Sequence, residues 1–261
     1  PNMASRTADI KAIEQAEAEH EFREAQAEAG FASEVLKRRI DWQLYANEGK
    51  LSAKDCNLIL SYDQQDPQTQ ADVLDERGPL LAGLFIKILN TVSNIETIEY
   101  TIVLIDQLFN SDRTPDQVKT ACGYFLTYAR DHPEIDIASP FLQILTTNGQ
   151  HNPFSFLRVQ HILAVLLAGF YSTTNVRDDS PLRLTVVQFL RYLISKISTL
   201  SSSSPAPGFS VSSFSSPSSP TSAAAANREL MTCLASLKIL LKAADKIQQL
   251  FAEQDGVRAI A

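Results

Sequence analysis

From Gly30 onward the chain is a succession of apolar stripes that recur every three or four residues, in segments of about 12 to 20 residues. That rhythm places the apolar side chains on one face of a helix, and strand signals are thin, so the chain is committed to an all-α fold made by laying helices against one another. Leu80, Leu81, Leu84, Phe85, Ile88, Leu89 and Val92 define one wide face whose start is marked by Gly78-Pro79. Ile98, Ile102, Ile105 and Phe109 form the next stripe, and Asn94 with Glu96 suits its N-terminus. Pro115 opens a segment reaching Arg130, and Pro133 and Pro140 punctuate a short helix that ends near Thr147, before the turn Asn148-Gly149. Two segments, 156–171 and 182–200, are apolar nearly all round and call for neighbours on several sides. A last helix spans about 223–244, with Leu230, Leu234, Leu237 and Leu241 along one side.

The prolines at 79, 115 and 153 are 36 and 38 residues apart, and Pro181 follows after 28. Helix-pair repeats of the HEAT and armadillo type run at roughly 40–47 residues, so the spacing fits a degenerate helical solenoid, with a globular helical bundle as the other arrangement open to such a pattern. With 261 residues and 44% apolar content, the chain can bury a substantial core as one elongated domain or two small ones.

Two stretches depart from the helical rhythm. Residues 1–30 hold three basic against seven acidic side chains, a net of −4 in an alanine-rich segment with only Ile10, Ile13 and Phe22 as anchors. This reads as an acidic N-terminal arm, frayed or disordered unless a partner surface orders it. Residues 201–222 are dominated by Ser and Pro and read as a flexible excursion between helices, leaving 31–261 as the helical domain. Ser204, Ser216 and Ser219 each precede proline and fit proline-directed phosphorylation, although such a loop also serves as a plain spacer.

The chemistry-bearing residues do not assemble into a reactive motif. A net charge of −7 argues against a general nucleic-acid surface, and the basic run Lys37-Arg38-Arg39 reads first as a solvated helix face. Cys56, Cys122 and Cys233 are far apart, an odd number without a CxxC pair, which fits a reducing compartment. The longest apolar segment, 154–171, is interrupted by Arg158, Gln160 and His161, so no membrane span is expected, and no secretory signal is read at the start. There is no phosphate-cradling glycine loop, and Gly78 and Gly83 read as a helix start and a close helix contact. The four histidines lack metal-ligand spacing, and His161 reads as a hydrogen-bonded core group. Glu96 and Glu99 are three apart on one helix, a spacing open to acid–base work but explained more simply by the helix macrodipole. Cys122-Gly123 has no nucleophile elbow around it. The expectation is no catalytic residue, no metal and no cofactor.

Four stretches, taken in order, carry a resemblance. The first is Val35 to Asp63, two short helices joined by a turn, with Arg38, Trp42, Tyr45, Leu51-Ser52-Ala53-Lys54-Asp55-Cys56 and Tyr62-Asp63. The second is Glu96-Thr97-Ile98-Glu99-Tyr100-Thr101-Ile102 followed by Leu104-Ile105-Asp106. Asn152-Pro153-Phe154 is the third and Phe251-Ala252-Glu253-Gln254-Asp255-Gly256-Val257 the fourth. Together they resemble the H subunit of the vacuolar, V-type proton-translocating ATPase over about residues 34–261. Asn152 stands where that family usually has Asp, Phe251 where it has Trp, and the family's later repeats and C-terminal domain are not represented.

The resemblance implies an all-α, right-handed HEAT or armadillo-like solenoid, the front part of a non-catalytic component of the pump's cytosolic sector. It implies binding to the peripheral stalk subunits E and G on the cytosolic face of vacuolar and other endomembranes. It also implies a part in coupled proton transport and in silencing ATP hydrolysis by the detached sector, much of the silencing being a property of the C-terminal domain. Arg38, Arg39, Trp42 and Tyr45 are the candidate partner contact, since Arg and aromatic residues dominate interfaces, while Trp42 and Tyr45, three apart, equally suit a core. The alternative function is a general helical-repeat adaptor that binds extended peptides in trafficking or transport, with the acidic arm in its own groove. A helical enzyme is the third reading, and the missing phosphate loop, nucleophile motif and metal cluster count against it.

Overall fold

The structure, a computed structural model, describes residue 26 and residues 29–109, 115–147, 152–173, 181–202 and 220–254. Most of the acidic arm and of the Ser/Pro excursion, the Asn148-Gly149 turn and the Asp255-Gly256-Val257 end of the fourth stretch lie outside the described residues. Everything regular among the described residues is helix. The elements are α1 (29–36), α2 (Trp42–Asn47), α3 (Ala53–Tyr62), α4 (Pro67–Thr91), α5 (Ile95–Phe109), α6 (Pro115–Asp131), α7 (Ser139–Thr146), α8 (Pro153–Thr173), α9 (Pro181–Ser202), α10 (Pro220–Ala243) and α11 (Asp245–Glu253).

Two compact units divide the chain, Pro1–Ile40 and Asp41–Ala261. In the first, Glu34 of α1 forms an exposed pair with Lys37, just past the helix, at 2.5 Å, worth little in water. The second holds α2 to α11, and its helices start where backbone chemistry favours a start. Ser52 and Asp55 close a capping box on α3. Asp66 accepts from the amides of Gln68 and Thr69 at 3.0 and 3.1 Å, and Pro67 follows it as the first residue of α4. Pro115, Pro153 and Pro181 open α6, α8 and α9 as expected, and Pro220 opens α10.

Three elements differ from the sequence expectation. Gly78-Pro79 lies inside α4, because Asp66-Pro67 caps an earlier start; the helix kinks at Arg77 (φ −135°, ψ 20°), where the proline two residues on removes a backbone donor. The last expected helix ends at Ala243, close to where the sequence places its end, but a further helix, α11, follows it after Ala244, whose extended φ of −162° separates the two. The third difference concerns which helix is buried on all sides. Every residue of α5 from Thr97 to Ile105 is buried, whereas α9 keeps a solvent stripe through Leu184, Gln188, Arg191 and Ser195. Helix α5 lies against α4, α6 and α8, so even its polar positions are enclosed.

Within this second unit the helices stack in rows. Helix α4 packs on α6, α6 on α8 and α8 on α10, while α7 packs on α9 and α9 on α11. Each helix packs on elements one to three apart in order, as in a helical-repeat stack, and the unit is an all-α solenoid of that kind. The first row depends on small residues. A Cβ at Gly78 would lie 2.6 Å from the Tyr124 ring, one at Gly83 would strike Tyr128, and one at Gly169 would strike the Cys122 sulfur. Helix α8 is long and apolar enough to cross a membrane, yet it is the inner helix of the stack, contacted by α5, α6, α7 and α10.

Candidate functional site

Three of the four stretches that carry the resemblance meet inside the second unit through buried polar groups. Asp63, only 8% exposed, follows the last residue of α3. The next residue, Gln64, takes the left-handed φ of 55°, turning the chain sharply at that point. One Asp63 carboxylate oxygen accepts the Trp42 indole N–H at 2.7 Å, and the other accepts the Tyr100 hydroxyl. A buried carboxylate costs several kcal/mol unless donors surround it, and here α2 and α5 supply one each. The two donor rings also touch, with Trp42 edge-on to Tyr100 at 6.2 Å. Burial, followed by the bond to Asp63, pushes the Tyr100 phenol far above its ordinary value, with the Gln64 side chain acting the other way.

The neighbouring residues of the Glu96–Tyr100 stretch are used just as fully. Thr97 exchanges a 2.7 Å hydrogen bond with the Tyr45 hydroxyl, and its amide donates to Asn94 Oδ1 at 2.9 Å, the cap of α5. Glu96 is exposed whereas Glu99 is buried, so the two carboxylates do not form an acid–base pair. Glu99 instead accepts the Asn152 backbone N–H at 3.0 Å, at the mouth of α8. Asn152 caps that helix by accepting the Phe154 amide at 3.0 Å, the task an Asp performs equally well. About two turns further along α5, Asp106 accepts from Arg158 Nε of α8 at 3.0 Å, with both side chains less than one-fifth exposed.

Later layers add a buried neutral pairing and an exposed charged one. Gln160 of α8, 1% exposed, donates to Ser236 Oγ at 3.4 Å and accepts from the Cys233 thiol at 3.8 Å, both on α10. Arg191 of α9 donates to Gln254, just past α11, at 2.6 Å. His161, expected in the core, is half-buried. Sequence reasoning missed the roles of Asp63, Glu99 and Gln160; each has other polar residues within three positions, so no local signal set it apart from ordinary exposed positions.

The candidate contact residues separate in the structure. Arg38 and Arg39 belong to the first unit, half-exposed and exposed respectively. Trp42 and Tyr45 belong to the second and are core residues, 1% and 8% exposed, with their polar atoms committed to Asp63 and Thr97. Those two side chains are therefore closed to a partner in this fold.

Chemically, this arrangement clamps helices together. Its carboxylates accept from fixed donors, and burial pushes the Cys122 and Cys233 thiols up to about 11, away from the reactive thiolate. Among the described residues no group of three or more His, Cys, Asp and Glu is placed to hold a metal ion. The fold and its polar clamps define a stacked-helix scaffold.

Within that class the family is specific. The profile described as the V-ATPase H subunit matches residues 29–261, and the chain belongs to that family, the matched part being the N-terminal portion. Relatives agree with the assignment. The chain is 32% identical over 114 residues to a rice (Oryza sativa subsp. japonica) protein named as a probable H subunit of the V-type proton ATPase, covering 43% of this chain and 23% of the relative. It is 25% identical over 150 residues to the V-type proton ATPase H subunit of Dictyostelium discoideum, covering 57% of this chain and 32% of the relative. The chain thus spans about a quarter to a third of the curated relatives it matches.

Proposed function

We propose that this chain acts as a non-catalytic regulatory subunit of the V-type proton ATPase, seated on the cytosolic face of vacuolar or other endomembranes and holding the peripheral stalk subunits E and G. The observation that carries the reading is the family match over residues 29–261. The physical rationale is the stack itself, since helices tied layer to layer by buried polar bonds form a rigid body suited to bracing other subunits. In this role the protein supports coupled, ATP-driven proton transport and takes part in silencing ATP hydrolysis when the cytosolic sector detaches.

The direct test is binding of the purified protein to an E–G heterodimer, read by co-elution and by calorimetry. A stable complex is expected. No complex with the full-length protein overturns the reading, and pump subunits failing to accompany the tagged protein from its source cells count against it independently.

A further inference from the structure

We propose that the solvent face of α10 is a docking face for an acidic helical segment of the peripheral stalk, a proposal that rests on the stalk-binding role given above. Charge is distributed unevenly along this sequence. Residues 1–180 carry 15 Lys and Arg against 26 Asp and Glu, a net of −11, while residues 181–261 carry eight against four, a net of +4. The layer from α9 to α11 is therefore a basic region in an acidic protein.

Within that layer three exposed residues of α10 lie along one line. Its inner side is occupied by buried Cys233, Ser236, Leu237 and Leu240, and the helix packs on α8 and α9. On the outer side, Met231, Lys238 and Lys242 are all exposed, and at 100° per residue the offsets of seven and eleven place them within about 40° of arc along about 16 Å of helix. Met231, at 65% exposed, is a large apolar side chain standing in solvent. Lys37, Lys50, Lys87 and Lys196 each have a carboxylate within 4.0 Å, whereas among the described residues Lys238 and Lys242 have no such ion pair. Lys246, also exposed, continues the four-residue rhythm beyond the break at Ala244.

Two ammonium groups one turn apart, with an apolar anchor two turns before the first, are complementary to a helix bearing carboxylates at i and i+4 and an apolar residue on the same side. A nucleic acid is a poor match, because so short a line of cations neutralises only two or three phosphates while the remaining surface is acidic. An anionic membrane is also disfavoured, since the line offers one apolar side chain and no aromatic group to insert.

The test compares the intact protein with the double variant K238E/K242E and with Met231→Ser in binding to the E–G heterodimer, with circular dichroism and Tm confirming that these exposed changes leave the fold intact. The expected result is affinity about tenfold weaker for K238E/K242E and about threefold weaker for Met231→Ser. Wild-type affinity falls steeply with added salt, and that of the charge-reversed variant does not. Equal affinity and equal salt dependence in all three proteins overturn the docking face while leaving the stalk-binding role standing. No binding by any of them removes both. Wild-type binding to phosphatidylserine vesicles that K238E/K242E abolishes, with stalk affinity unchanged, reassigns the face to lipid and overturns the proposal.

Discussion

At the scale of the residue, Asp63 decides more than its size implies. It is the common acceptor for the single tryptophan and for a tyrosine 37 positions away, so three elements converge on one carboxylate. Asp63→Ala leaves the Trp42 N–H and the Tyr100 O–H enclosed without that acceptor, and the expected loss of unfolding free energy is about 2–4 kcal/mol. Asp63→Asn loses less, because its amide oxygen still accepts one bond. Urea unfolding followed by the fluorescence of Trp42 reads both variants; an Asp63→Ala midpoint equal to wild type would mean the clamp contributes nothing. Burial explains why no such role falls to Glu96, whose side chain stays in solvent.

At the scale of the element, the stack depends on how closely helices of the first row approach. Gly169 of α8 sits over the Cys122 sulfur of α6, whereas Gly123, on the next position of α6, has nothing within 4 Å of where a Cβ would stand. Alanine favours a helix over glycine by about 0.5–1 kcal/mol, so Gly123→Ala is expected to stabilise by about that amount. At Gly169 the same change forces the sulfur aside, and overpacking of about 1–3 kcal/mol outweighs the propensity gain. Adding Cys122→Ala to Gly169→Ala restores the room, so the pair is non-additive in a double-mutant cycle. Additive effects in that cycle would show that the two helices do not meet there.

At the scale of the whole molecule, phenols held neutral in successive layers link stability to alkaline pH. Burial pushes up Tyr100 in α5, Tyr128 in α6 and Tyr192 in α9 from the ordinary value of 10.0, aided at Tyr100 by Asp63, at Tyr128 by Glu134 and at Tyr192 by Cys233 and Glu229. A raised folded pKa means stability that is complete below pH 10 and is lost as pH rises through the folded values, because the unfolded chain ionises first. The urea midpoint is accordingly expected to fall above about pH 10, and less steeply in Tyr100→Phe. A flat midpoint across that range would contradict the enclosure of these rings.

The sequence alone determined that the chain is helical, where most helices begin and which family it resembles. Those properties are local: a 3.6-residue period of Leu and Ile, a proline at 115, 153 or 181, and an asparagine ahead of Pro153 act through atoms a few residues apart. Only the tertiary structure decided that α5 is enclosed on every side, that α9 keeps a wet stripe, that Trp42 and Tyr45 are core, and that Glu99 serves a helix 53 positions downstream. A periodic stripe records that one face is buried and says nothing of how many neighbours arrive. The partner of a buried polar group is set by the packing of distant helices, which no local spacing encodes.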